Sequence, residues 1–351
     1  TRFEAEGTTD AFRYMSQRKN IGKVVVAMGS REQGAGGREQ GGGAATAELV
    51  RKDGTYLITG GLGALGLRVA EWLAEQGAGT VALLARRAPS ADMEPKLDAI
   101  RARGANVVTL RGDVSQADSL TAALRQLPAD APTLRGVIHA AGVLADGVLA
   151  DTTLEQLDRA MVPKVEGAWN LHRATREAPL DFFVLFSSVA SVLGSPGQGN
   201  YAAGNAMLDA LAHARRAAGL PATAINWGPW ADSGMAAEAG RDDAVKSRGM
   251  NLIPPGDGLD LLGKLLRTDV PQVVVMDANW SDLLRQFGSR RPALLAEMSV
   301  DPAEPTTGSA VDHAFRKQLA DADGPMRQTL VEDYIRAELA RIMGVPPESL
   351  E

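Results

Sequence analysis

The pattern of the chain changes at Gly54, and that change constrains the fold more than any other feature. From there to about Met298, short apolar runs alternate with amphipathic stretches. The runs lie at 55–59, 80–85, 105–110, 136–140, 182–186, 222–227 and 273–276. They are continuously apolar, as strands buried on both faces must be. Between them, apolar residues recur at helical spacing over 67–76, 93–103, 117–126, 154–178, 198–218 and 258–267. Parallel strands need a crossover, and a helix supplies one while covering the sheet. The alternation therefore predicts an α/β fold: a doubly wound parallel sheet with helices on both faces.

The flanks read differently. Residues 11–20 suggest a short helix stopped by Gly22, with a strand at 24–26. One helix and one strand cannot enclose a core, so this piece is expected to belong with a neighbour. Residues 27–48 are rich in Gly, Gln and Ala and include Gly41-Gly42-Gly43. They have no apolar periodicity and read as a flexible linker. A phosphate-binding glycine loop is the alternative there, but no helical pattern follows the glycines directly. A second polar linker is expected at 301–325. Then 326–343 is amphipathic, with Leu330, Val331, Tyr334, Ile335, Leu339 and Ile342 on one face. The chain stops at Glu351 before that helix gains a partner, and it begins with Thr1. A piece cut from a longer protein is expected.

Composition narrows the chemistry. The 351 residues suggest about two domains and suffice for a full core without disulfides. There is no cysteine, which excludes a thiolate nucleophile and thiolate-bound zinc or iron–sulfur sites. The four histidines, His139, His172, His213 and His313, form no close pair, so no metal site is expected. A net charge of −6 argues against general nucleic-acid binding, although a local basic pocket stays open. No apolar run reaches membrane-spanning length and no signal peptide opens the chain. A cytoplasmic location is expected.

Thr59-Gly60-Gly61-Leu62-Gly63-Ala64-Leu65-Gly66 follows the first buried strand and opens a helix. Gly61, Gly63 and Gly66 satisfy G-x-G-x-x-G, the turn that brings a pyrophosphate to a helix N-terminus. A Rossmann-like dinucleotide site is the functional reading, and a plain glycine turn is the bland one. Arg86 and Arg87 follow the second strand, where an NAD-binding unit commonly carries an acid. Two guanidiniums suit a 2′-phosphate, which favours NADPH; otherwise both are solvated surface charge. Asp113, followed by Val114, suits either the adenine edge or a turn-capping carboxylate. Ala140, Ala141 and Gly142 end the fourth strand with small residues that let a cofactor lie close. His139 before them reads as structural.

Ser187-Ser188 ends a buried strand at the edge of the sheet where ligands bind in such folds. Tyr201 lies just inside the next helix, and Asn205 shares its face at i+4. Lys164 lies on the preceding helix. A tyrosine acid needs help at neutral pH, since its free pKa is about 10. A lysine ammonium and a ribose hydroxyl can lower it, and a serine hydroxyl can hold the substrate oxygen.

Lys164, Ser188, Tyr201 and Asn205 together resemble the catalytic tetrad of the short-chain dehydrogenases/reductases. The Tyr201-Ala202-Ala203-Gly204-Asn205 stretch, with the lysine at Lys164, resembles the ketoreductase domains of modular type I polyketide synthases. Phe186-Ser187-Ser188-Val189-Ala190-Ser191 and Asn226-Trp227-Gly228-Pro229-Trp230 are similar to the same family. The resemblance covers 53–298. It implies NADPH-dependent reduction of a β-ketoacyl thioester, with Tyr201 as acid, Ser188 on the same oxygen, Lys164 on the nicotinamide ribose, and Asn205 positioning Lys164 or a relay water. Residues 1–26 resemble the tail of an enoylreductase domain, 27–52 and 299–325 would be linkers, and 326–351 resemble the start of an acyl carrier domain. Implied partners are an acyl carrier domain bearing a phosphopantetheine-linked chain, the enoylreductase, and a structural ketoreductase half of the same module. A dimeric megasynthase is implied, with a monomeric state open for the fragment alone. Leu144-Ala145-Asp146 keeps the final acid of the B-type Leu-Asp-Asp motif. Leu193 stands where A-type domains carry tryptophan, so a D-configured hydroxyl is expected. Trp230 is expected on the substrate side.

Two other readings stand beside this one. A free-standing reductase of a small ketone conflicts with the flanking pieces. A non-catalytic NADP-binding scaffold would typically have lost the glycine turn or the tyrosine, and both are present.

Overall fold

A computed structural model describes residues 2–4, 25–27, 49–232, 245, 248–287, 292–295, 315 and 318–343. The chain divides into two units, 1–47 and 48–351. In the first, β1 (Arg2–Glu4) pairs in parallel with β2 (Val25–Ala27). The strand expected at 24–26 is thus shifted by one residue. The helix expected at 11–20 and the linker residues 28–48 lie outside the described residues.

The second unit carries the alternation. Its first half runs β3 (Gly54–Thr59), α1 (Ala64–Glu75), β4 (Thr80–Ala85), α2 (Glu94–Arg101), β5 (Asn106–Arg111) and α3 (Ala117–Leu124). The second half runs β6 (Thr133–His139), α4 (Leu154–Ala174), β7 (Phe182–Ser188), the short α5 (Ala190–Leu193), α6 (Gly199–Ala217) and β8 (Thr223–Trp227). After these come β9 (Met250–Asn251), α7 (Pro255–Leu265), β10 (Gln272–Val275), β11 (Asp277–Ala278), α8 (Trp280–Arg285) and α9 (Gly324–Met343). Seven strands form one parallel sheet in the order β10-β8-β7-β6-β3-β4-β5. Winding reverses between β3 and β6. The expected doubly wound fold is what forms.

Strand side chains alternate between two cores. Tyr56 and Ile58 of β3 join Leu73 of α1, Ile100 of α2 and Leu262 of α7 on one face. Leu57 joins Leu120 of α3, Leu171 of α4 and Leu208 of α6 on the other. Each face thus takes three of the long helices, and every residue of β3 is buried. The edge strands β5 and β10 are less covered, and Val274 is exposed. The folded body begins before the expected boundary at residue 53. Val50 is buried in the first core, Leu49 packs against it, and the Arg51 amide donates to the Tyr56 hydroxyl at 2.6 Å.

The β3–α1 turn brings backbone against backbone at the sheet's centre. Gly60 takes φ +67°, which only glycine adopts without strain. A methyl at Gly61 would stand 2.9 Å from the Ile58 carbonyl oxygen and from Leu83 Cα on β4. These are backbone atoms and cannot yield cheaply. Gly61→Ala should therefore lower stability by ~1–3 kcal/mol. Gly256→Ala, in open space at the start of α7, should leave stability equal or slightly higher. Urea unfolding of the two variants beside wild type checks the contrast.

Candidate active site

The C-terminal ends of β3, β6 and β7 gather the expected residues. At the winding reversal, the glycine turn lies beside the end of β6. A methyl at Gly60 would sit 3.1 Å from the Ala140 carbonyl and from Ala141 Cα, and the Ala140 amide donates to the Thr59 carbonyl at 3.2 Å. Gly66 packs directly on the Gly60 carbonyl. Leu62 and Leu65 are half-buried behind the turn. Gly63 caps α1 from an extended conformation and no side chain caps the helix. The first-turn N–H groups of α1 are therefore left to solvent or an anion. This cradle fits a dinucleotide pyrophosphate.

Arg86 and Arg87 follow β4 exposed to solvent, with no ion pair among the described residues. The geometry leaves them available to a phosphate. Asp113 caps its own turn: Oδ1 accepts from the Ser115 amide at 2.9 Å and from the Ser115 hydroxyl at 2.7 Å. Val114 is buried, and its carbonyl accepts from Asn170 Nδ2 at 3.1 Å, tying α4 to the end of β5. Ala141 and Gly142 continue from β6 half-buried.

The four expected catalytic residues come together. Ser188 ends β7, and its Oγ accepts from the Ala190 amide at 3.2 Å. Tyr201 and Asn205 lie on α6, one turn apart. Lys164 on α4 is 2% exposed; its Nζ lies 5.4 Å from the centre of the Tyr201 ring and donates to the Phe186 carbonyl at 3.0 Å. Close helix packing puts it there. Gly204 of α6 faces the Lys164 side chain, and Gly167 of α4 leaves room for Val114 and His139. A capping box of Thr153 and Gln156 starts α4. The Asn205 amide donates to the Tyr201 carbonyl at 2.8 Å, while its Oδ1 is buried without a hydrogen-bond partner. That oxygen suits a relay water.

Electrostatics differ from the sequence expectation in one respect. Burial pushes the Tyr201 hydroxyl above its ordinary value; hydrogen bonding to Ser188 and Asn205 pulls it back, and the Asp146 charge pushes it further up. Tyr201 therefore stays protonated at neutral pH, as an acid should. Burial also lowers Lys164 to about 8, against an opposing pull from Asp209. His139 is driven down to about 3 by burial and then by the Lys164 charge. It is a neutral structural residue, with Nδ1 2.7 Å from the Thr59 hydroxyl across β6 and β3.

The three residues expected to face substrate separate. Asp146 Oδ2 accepts from Gln198 Nε2 at 3.0 Å, and the Ala145 carbonyl accepts from Asn200 Nδ2 at 2.6 Å. These bonds latch the loop after β6 to the segment before Tyr201. Leu193 ends α5, half-buried. Trp230 is turned into the core instead: it is 4% exposed, edge-on to Trp227 at 4.9 Å, and packed on Gly258. Sequence reasoning also missed Asp209, Asn226 and Gln198. Asp209 extends the run Tyr201, Asn205 at i+4 spacing, a signal present in the chain.

Comparisons with known proteins point to one family. A family model described as KR domain matches residues 54–232. A phenolphthiocerol/phthiocerol polyketide synthase polypeptide of Mycobacterium tuberculosis is 36% identical over 344 residues, which is 97% of this chain and 15% of that protein. A phthioceranic/hydroxyphthioceranic acid synthase of Mycobacterium bovis is 45% identical over 225 residues, 63% of this chain and 11% of the synthase. The chain thus spans a small part of these relatives' length. Among solved structures, A-type ketoreductases from a modular polyketide synthase match with 41% identity and a TM-score of 0.65, over 69% of this chain and 51% of theirs. The ketoreductase from the first module of phoslactomycin biosynthesis in Streptomyces sp. HK803 matches with 39% identity and a TM-score of 0.65, over 70% of this chain and 57% of its own.

The depressed Lys164 makes a stability prediction. Its folded value of about 8 lies below its ordinary 10.5, so between the two the unfolded chain holds the proton and the native chain does not. Native stability gains from this residue as pH rises through that window. Lys164→Met removes that gain. The variant's stability relative to wild type should fall by on the order of 3 kcal/mol from pH 7 to pH 10.5. Urea unfolding across that range checks it; a constant difference would contradict the buried ammonium.

Proposed function

The chain belongs to the KR domain family, the ketoreductases of polyketide synthases, and on that premise we propose that it reduces a β-ketoacyl thioester on an acyl carrier domain, with NADPH as reductant. The observation that carries this reading is the convergence of Lys164, Ser188, Tyr201 and Asn205 beside the glycine cradle. NADPH, when bound, supplies the hydride. The uncapped N-terminus of α1 would hold its pyrophosphate, Arg86 and Arg87 its 2′-phosphate, and Ala140 to Gly142 would line its path.

The protein's own residues handle the oxygen and the proton. The Ser188 hydroxyl donates to the ketone oxygen and fixes it near Tyr201. Tyr201 donates its proton to that oxygen as negative charge develops there. Its raised pKa keeps the proton on the phenol until the oxygen demands it. Lys164, buried and near 8, favours the charged phenolate left behind and can return a proton to it. Asn205 Oδ1 offers the acceptor for a water that leads from Lys164 outward.

Matches over 97% of the chain to a much longer synthase support the reading of the flanks. Residues 1–26 are read as the tail of an enoylreductase and 326–351 as the first helix of an acyl carrier domain. These would be partners within one cytoplasmic module, together with a structural ketoreductase half. Asp146, held by Gln198 close enough for its charge to bear on Tyr201, supports B-type delivery of the substrate.

Two experiments test the reading. Wild-type protein given a β-ketobutyryl thioester should consume NADPH in clear preference to NADH and form the D-hydroxyl product. Equal use of both cofactors overturns the 2′-phosphate assignment, and an L-product overturns B-type control. Tyr201→Phe should retain NADPH binding by fluorescence titration and lose turnover by ~100- to 10,000-fold. Undiminished turnover would remove Tyr201 from the mechanism.

A further inference from the structure

Beneath Ser188 lies a buried polar cluster that the tetrad does not explain. Asp209 follows Tyr201 and Asn205 at i+8 and i+4 on α6, so all three share one face. It is 8% exposed. Its two carboxylate oxygens each accept from Asn226 Nδ2 at 2.9 Å, and Oδ2 also accepts from the Ser191 hydroxyl at 2.7 Å. Asn226, on β8, is fully buried, and Gln272 fixes its orientation by donating from Nε2 to its Oδ1 at 3.1 Å.

The same atoms reach the strand end that carries Ser188. Asn226 Nδ2 lies 3.0 Å from Ser187 Oγ, whose hydroxyl donates to the Asn205 carbonyl at 3.2 Å. Ser191 Oγ lies 2.8 Å from the Ser188 carbonyl. One carboxylate therefore braces the residues on both sides of Ser188, together with β8, against the helix bearing Tyr201 and Asn205. A buried carboxylate is costly unless fully bonded. A charge placed here does what a neutral side chain would not: it draws the Asn226 amide and the Ser191 hydroxyl to one point.

We propose that Asp209 is a positioning residue for ketoreduction: it fixes Ser188 relative to Tyr201 through Asn226 and Ser191. The inference rests on the function proposed above. Its charge adds a second consequence. Asp209 is the carboxylate whose charge raises Lys164 against the lowering by burial. The other titratable groups of the site are His139 on β6, Tyr201 on α6 and Asp146 on the loop after β6. His139 is neutral above pH about 3 and Tyr201 is raised above its ordinary 10.0, so neither changes charge between pH 6 and the Lys164 midpoint near 8.

Asp209→Asn keeps the size and removes the charge, while Ser191→Ala removes one donor and keeps the charge. Turnover of a β-ketobutyryl thioester with NADPH and a 13C NMR titration of Lys164 Cε in the protein alone are measured for both. Asp209→Asn should lower kcat by ~10- to 100-fold with KM little changed, as a small misplacement of reacting groups does. It should also move the Lys164 midpoint to lower pH. Ser191→Ala should lower kcat less and leave the midpoint in place. Wild-type kcat and an unmoved midpoint in Asp209→Asn overturn the proposal. If Asp209→Asn shows no cooperative melt, wild-type kcat in Ser191→Ala overturns it instead. A wild-type protein that fails to reduce the thioester overturns the proposed function itself, and this is a distinguishable result.

Discussion

Parallel pairing of β3 with β6 is the constraint on which the rest of the structure depends. Its register runs from Gly54 opposite Thr133 to Thr59 opposite His139. Parallel neighbours send their C-terminal ends to one edge of the sheet. Winding reverses between these two strands, so the connections leaving them diverge to opposite faces. The crevice that opens there is bounded by the glycine turn on one side and Ala140 on the other. The hydrogen bond between Thr59 and His139 closes its floor. A charged imidazole there would stand against the Lys164 ammonium, and burial keeps it neutral.

The same edge explains why the catalytic groups are divided between helices and strand ends. Ser188 comes from a strand end, with little freedom. Lys164 and Tyr201 come from α4 and α6, which must approach closely for Nζ to reach the Tyr201 ring. Gly204 of α6 faces the Lys164 side chain, Gly167 lets α4 settle against Val114 and His139, and the Phe186 carbonyl receives the ammonium at its end. Burial then does opposite things to two groups. It holds the proton on Tyr201 and loosens it on Lys164, so the ammonium becomes the stronger acid of the two and can return a proton to the phenolate.

Much of this is legible in the chain. Continuous apolar runs mark all seven sheet strands to within three residues at either end, because strands buried on both faces admit few polar side chains. The glycine turn and Ser188 sit at strand ends, and Tyr201 and Asn205 on the opening turns of the next helix, where chain direction forces them; Lys164, midway along α4, is singled out only by the family resemblance. The two-residue pair β9–β11 and the short helices α5 and α8 leave no periodicity to read. Trp230, expected toward substrate, departs for a different reason. Its burial is decided by Gly258, 28 residues later, whose missing side chain makes the slot for the indole.

Asp209 shows the deeper limit. On a helical pattern, an acid between apolar neighbours reads as a solvated face. Here it points inward because Asn226 and Ser191, 17 and 18 residues away, bring donors to meet it. Neither partner is unusual alone: one is an asparagine inside a buried strand, the other a serine in a one-turn helix. A buried amide in mid-strand is itself a demand for partners, since two N–H groups and a carbonyl must all be met. For Asn226 the demand is met across β7 at Ser187, at Gln272 of β10, and at Asp209 on the helix carrying Tyr201. The polar bracing of the site thus follows from the same accounting of buried hydrogen bonds that explains the sheet.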